Sequence, residues 1–162
     1  MKPIPAPVLV LGIGNRLLGD DAVGLVLLEA LAEQYAGDGG QIEFVDGGTQ
    51  GLSLLGLLDS RRGVLILDAV SLGDTPGTVH VLRGDQVTSP IRKVPTAHGS
   101  SARELLNAGL LLGQLPPQVM VVGIEPAEVR TQIGLSASVV ASLGSAISLA
   151  TETLSVMHSS LR

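Results

Sequence analysis

Apolar positions along this chain fall into two periods that alternate. Val8-Leu9-Val10-Leu11 is a continuous aliphatic run ending in glycines, the pattern of a buried strand, and Ala22 to Tyr35 then carries apolar residues at helical spacing. Gln41 to Asp46 alternates as a strand, followed by Gly47-Gly48 and a short leucine-rich helix from about Leu52 to Leu58. Val64-Leu65-Ile66-Leu67 predicts a third strand, which delivers Asp68 at its carboxyl end. Between Asp68 and a fourth strand, Thr78 to Leu82, lie Gly73, Pro76 and Gly77 in a stretch too short for a parallel crossover. The third and fourth strands should therefore pair antiparallel.

Gly84 to Gly99 reads as an irregular polar loop holding Pro90, Pro95 and, near its end, His98. Ser101 to Leu112 is helical in pattern, Pro116-Pro117 ends it, and Val119 to Ile124 is a fully apolar strand. A last helix runs from Ser136, whose hydroxyl suits an N-cap, to near Met157. This order predicts a three-layer α/β fold: a mostly parallel five-stranded twisted sheet with one antiparallel strand, flanked by helices. No repeat or linker divides it, so residues 1–162 are expected to form a single domain.

Composition narrows the chemistry. The chain is 45% hydrophobic with Tyr35 and Phe44 its only aromatic side chains, so aliphatic residues must fill one core that buries roughly 70% of the unfolded surface. Fifteen acidic against ten basic residues, with Lys2 and Lys93 the only lysines, argue against a nucleic-acid partner. The absence of cysteine excludes disulfides, thiolate catalysis and thiolate metal ligation, leaving Asp, Glu and His as strong ligands. Pro3, Pro5 and Pro7 break the one run resembling a signal-peptide core, and the uninterrupted apolar stretches fall short of the roughly 18 residues of a membrane span. A cytoplasmic chain with no membrane partner is expected.

In open α/β sheets ligands bind beyond the carboxyl ends of the strands, and carboxylates gather there. Asp20 and Asp21 follow the first strand, Asp46 ends the second, Asp68 the third, and Glu125 follows the fifth. Gly12-Ile13-Gly14 invites a dinucleotide reading, but Leu17 replaces the third glycine and two aspartates stand where a pyrophosphate would meet the helix. The ordinary role of Asp20 and Asp21 is helix capping, which one of them suffices to fill. The other is free to point into the cleft, where Asp68 and His98 can meet it as an oxygen and nitrogen site for a borderline divalent ion. Each has a plainer reading: Asp68 capping a turn through Ser71, His98 a hydrogen-bonded loop histidine. His80, inside the fourth strand between Val79 and Val81, and His158, in the tail, receive no function. Ser100 and Ser101 adjoin His98 without a G-x-S-x-G turn, which argues against a serine hydrolase. Arg92, Lys93 and Arg103 read first as solvated surface, the alternative being that they meet an acidic or carboxylate-bearing substrate.

Taken in order, the motifs resemble those of the nickel-iron hydrogenase maturation endopeptidases. They are Val8 to Asn15, Leu18-Gly19-Asp20-Asp21-Ala22-Val23-Gly24, Asp46-Gly47-Gly48-Thr49 with Gly51, Asp68-Ala69, Pro76-Gly77-Thr78, His98, Val122-Gly123-Ile124-Glu125-Pro126 and Ile133-Gly134-Leu135-Ser136. The resemblance covers nearly the whole chain. It implies an endopeptidase that removes a C-terminal extension from a hydrogenase large-subunit precursor after nickel insertion, with Asp21, Asp68 and His98 as the catalytic and metal-contacting residues. Nickel would belong to the substrate, no cofactor of the chain's own is expected, and the protein would act as a monomer. A family member may carry Glu at the first ligand position; this chain has the shorter Asp21. A small-molecule hydrolase or phosphorylase and a non-catalytic metal-sensing module remain as the other classes. The Gly84 to Ala97 loop is the expected determinant of substrate specificity.

Overall fold

The computed structural model describes residues 4–88 and 101–160. Within them, β1 (Val8–Ile13), β2 (Ile42–Gly48), β3 (Gly63–Ala69), β4 (Val79–Arg83) and β5 (Gln118–Ile124) form one sheet of order β2-β1-β3-β5-β4. The helices are α1 (Val23–Gln34), the four-residue α2 (Asp85–Thr88), α3 (Ser101–Leu111) and α4 (Ala137–Ser159). Gly51–Leu58 coils as a 3-10 helix, as does the acidic turn Gly19–Ala22. The mostly parallel α/β architecture is the one the pattern predicts. His98, Arg92, Lys93 and most of the Gly84 to Gly99 loop lie outside the described residues.

One pairing differs from expectation. β4 does run antiparallel to the rest, but its neighbour is β5, not β3. Residues 70–78 step across the carboxyl end of β5 and tie to it, Val70 N–H donating to Ile124 O at 3.1 Å and Glu125 N–H to Thr78 O at 2.8 Å. That stride leaves a slot between β3 and β4, which β5 fills later in the chain.

Where a single core was expected, the covering of β1, β3 and β5 on both faces divides their side chains between two. Val8, Val10, Leu65, Leu67, Val122 and Ile124 pack toward α1 and α4. Leu9, Leu11, Val64, Ile66 and Val121 pack on the other face toward the 3-10 helix and α3. By length and composition α4 would suffice to cross a membrane, but Val139, Ala146, Ala150, Leu154 and Met157 on it are core residues of the first layer.

The start of α1 is drawn tightly over the sheet. A Cβ at Gly24 would lie 2.3 Å from both Ile13 O and Leu67 O, so only glycine lets the helix cross the ends of β1 and β3 at this spacing. Backbone atoms cannot yield as a flexible side chain does. Gly24→Ala is therefore expected to cost upward of about 2 kcal/mol, read as a lowered urea midpoint. A midpoint equal to wild type would show that the helix has room to slide.

Candidate functional site

The acidic turn is folded back on itself. Gly14 stands at φ +149° with its missing Cβ 2.0 Å from Asp21 O, so the glycine turn and the acidic turn touch backbone to backbone. Asn15 N–H donates to Asp21 Oδ2 at 2.9 Å, and Leu18 O accepts from Asp21 N–H. Asp21 is thereby held at the carboxyl end of β1 with its side chain buried.

Asp68 arrives from β3 on the α3 side of the sheet, also buried, its Oδ1 accepting from Ala69 N–H at 2.8 Å. Burial first, and the Asp21 charge second, push the Asp68 carboxyl well above the ordinary carboxylate range; the Ala69 N–H opposes this without cancelling it. Asp21 and Asp68 are thus two buried carboxylates whose charges repel one another. A proton or a divalent cation between them relieves that repulsion. The structure brings Asp21 and Asp68 together, and His98 falls outside the described residues.

Asp20 has a different role from its neighbour. Its Oδ2 accepts from Ala127 N–H (2.8 Å), Glu128 N–H (3.0 Å) and the Ser136 hydroxyl (2.8 Å), and its Oδ1 from Ser136 N–H (2.7 Å). Burial alone would raise its pKa, but these donors outweigh it and hold the carboxyl below its ordinary value. The capping expectation needs correcting on two counts. Neither aspartate caps its own helix, and Ser136, although it occupies the N-cap of α4, turns its hydroxyl to Asp20 and makes no side-chain cap bond. Asp20 instead fastens the loop between β5 and α4 onto the acidic turn, where Gly19 N–H also donates to Gln132 O.

Asp46 does not enter the buried pair. Half exposed, it accepts from Gly48 N–H at 3.0 Å and faces Arg16 at 3.5 Å, while the same guanidinium bonds Glu29.

His80 is better placed than its sequence context suggests. It is buried on the α3 side of β4, its Nε2 2.8 Å from Glu125 Oε2. Asp68, Gly123 and His80 form one row across β3, β5 and β4. Because β4 is antiparallel, its first residues lie at the carboxyl edge of the parallel strands, so His80 does sit at that edge. Glu125 also accepts from Leu72 N–H at 2.9 Å and Gly73 N–H at 3.1 Å, with the Ser71 hydroxyl at 3.5 Å. Ser71 thus turns to Glu125, not to Asp68. The signal in the sequence was a histidine on the inward face of a strand, since a buried polar side chain needs a partner. His158 lines a concavity of about 350 Å³ with Tyr35, Ile42 and Leu154, at the amino end of β2 and away from the acidic pair.

Residues 25–153 match a family model described as hydrogenase maturation protease. The hydrogenase 2 maturation protease of Escherichia coli (strain K12) is 36% identical over 141 residues, 86% of this chain and 85% of that protein. The hydrogenase expression/formation protein HupD of Rhodobacter capsulatus is 35% identical, over 78% of this chain and 60% of its own length. Among solved structures, the hydrogenase maturating endopeptidase HybD from E. coli superposes with a TM-score of 0.75 at 31% identity, covering 94% of this chain and 93% of that one. The nickel-iron hydrogenase maturation protease HybD from Thermococcus kodakarensis gives 0.72 at 27%, over 90% and 97%.

Proposed function

The chain belongs to the hydrogenase maturation protease family and is a peptidase, and from that premise we propose that it removes the C-terminal extension of a nickel-iron hydrogenase large-subunit precursor, recognising the nickel already inserted there. Membership in a peptidase family sets aside the small-molecule hydrolase and the non-catalytic sensor. The observation that carries the finer reading is the buried Asp21 and Asp68 pair, whose mutual repulsion a dipositive ion relieves.

In this reading nickel is part of the substrate. Asp21 and Asp68 offer oxygen ligands, and His98, on the strength of the resemblance, offers nitrogen. A site with so few protein ligands leaves coordination positions to the precursor, and the shared ion polarises the scissile carbonyl or a water. An unloaded precursor brings no ion, so cleavage waits for loading. Asp20 serves this site by holding the loop, because all four of its interactions are spent on backbone and hydroxyl donors. The protein acts as a cytoplasmic monomer on a protein substrate, without nucleic acid or membrane.

Purified protein incubated with nickel-loaded and nickel-free precursor tests this directly. Loaded precursor should lose its extension while the unloaded form stays intact, and Asp21→Asn should slow cleavage of the loaded form by more than about a hundredfold. Equal processing of both forms would overturn nickel recognition.

A further inference from the structure

We propose that Asp74, His80 and Glu125 form a second metal site, separate from the acidic pair, for a borderline divalent cation of the Zn²⁺ or Ni²⁺ kind. Their ligand atoms all lie within 4.8 Å of one another, and among the described residues this is the one such cluster. Two groups bound to one ion at about 2.1 Å, with angles between tetrahedral and octahedral, sit roughly 3.0–3.4 Å apart. His80 Nε2 is 2.8 Å from Glu125 Oε2 and 3.7 Å from Asp74 Oδ2, which brackets that spacing. His80 thus stands near ligand spacing from both carboxylates, and a coordinating arrangement needs Asp74 to move inward.

Three further features favour an ion. One nitrogen and two carboxylates match a borderline cation in ligand type, and their two negative charges match it in charge. Glu125 is held in place by the Leu72 and Gly73 N–H groups, so the buried half of the site is preorganised. Asp74 supplies the opposite property: its side chain is 57% exposed and lies on the loop that crosses β5, which gives an entry path and a ligand able to close. The row from Asp68 through Gly123 to His80 spans two strand spacings, roughly 10 Å, too far for one ion to serve both sites. An ion held here ties the loop that leaves Asp68 to the end of β5. The competing outcome is a His80 and Glu125 pair that remains only a hydrogen bond.

Metal-free full-length protein in which Asp21→Asn and Asp68→Asn disable the acidic pair should still bind one equivalent of Zn²⁺ in a calorimetric titration. X-ray absorption of that complex should show imidazole scattering. His80→Gln keeps an amide donor for Glu125 and should abolish binding; Asp74→Asn, at an exposed position, should weaken it at least about tenfold. Circular dichroism confirms that each variant is folded. No saturable binding in the Asp21→Asn/Asp68→Asn protein, or binding that neither His80→Gln nor Asp74→Asn alters, overturns the proposal. Failure of the acidic pair to hold metal would appear separately, as wild type and doubly substituted protein binding the same single equivalent through His80.

Discussion

Asp68→Asn is expected to reduce precursor cleavage by more than about a hundredfold while making the metal-free chain more stable at neutral pH. The two effects share one cause. Asp68 is buried beside Asp21, and both burial and that neighbouring charge raise its pKa well above 3.8, so an ionised Asp68 weighs against the fold. For a raised carboxyl the folded chain holds the proton more tightly than the unfolded chain does. Below the unfolded value both states are protonated and nothing is lost; as pH climbs from there through the raised folded value, stability falls. Asparagine keeps an oxygen for Ala69 N–H but carries no charge to bury. In chelator-treated protein, the wild type should therefore lose stability relative to Asp68→Asn as pH rises across that window. At neutral pH the variant should melt a few degrees higher, which is what about 1 kcal/mol produces in a chain of this size. The difference between the two curves reports Asp68 together with its coupling to Asp21, the charge beside it. A variant no more stable than wild type at pH 8 would mean that Asp68 is not held as a costly charge, and the argument for a cation there would lose its support.

The position of Asp68 was legible because a strand buried on both faces is a bare aliphatic run, and Val64 to Leu67 can end only where the polar residue appears. The direction of β4 was legible for a similar local reason, the short link from β3. Its partner was not, because β5 arrives from a distant part of the chain and the choice is made by bonds such as Gly77 N–H to Glu125 O. The same long-range contact hid the His80 and Glu125 pair: 45 residues separate two side chains that meet only when β5 lies beside β4. Ser136 shows a third kind of limit. Its place at the head of α4 follows from periodicity, but the direction of its hydroxyl follows from Asp20, 116 residues earlier. Local pattern placed the elements and the strand-end carboxylates, whereas partner identity depended on contacts that no window of the sequence contains.

Asp20 should behave in the opposite sense to Asp68. Asp20→Ala removes the acceptor from the N–H groups of Ala127, Glu128 and Ser136 at once and releases the loop that packs on the acidic turn. Each stranded donor costs about 1–3 kcal/mol, so a loss of roughly 3 kcal/mol or more is expected even if the loop partly relaxes toward water. Asp20→Asn should fall between, because its amide nitrogen confronts donors with a donor. The pH dependence carries the contrast with Asp68. A depressed carboxyl contributes stability that is fully present above the unfolded value of 3.8 and fades as pH falls through the lower folded value, so the gap between wild type and Asp20→Ala should narrow in acid. Urea midpoints across pH measure that gap, and hydrogen exchange at Ala127, Glu128 and Ser136 locates it. If Asp20→Ala kept wild-type stability and exchange protection but lost cleavage, Asp20 would be acting on the chemistry itself. The division between a loop-holding Asp20 and an Asp21 proposed to face the metal would then have to be reversed.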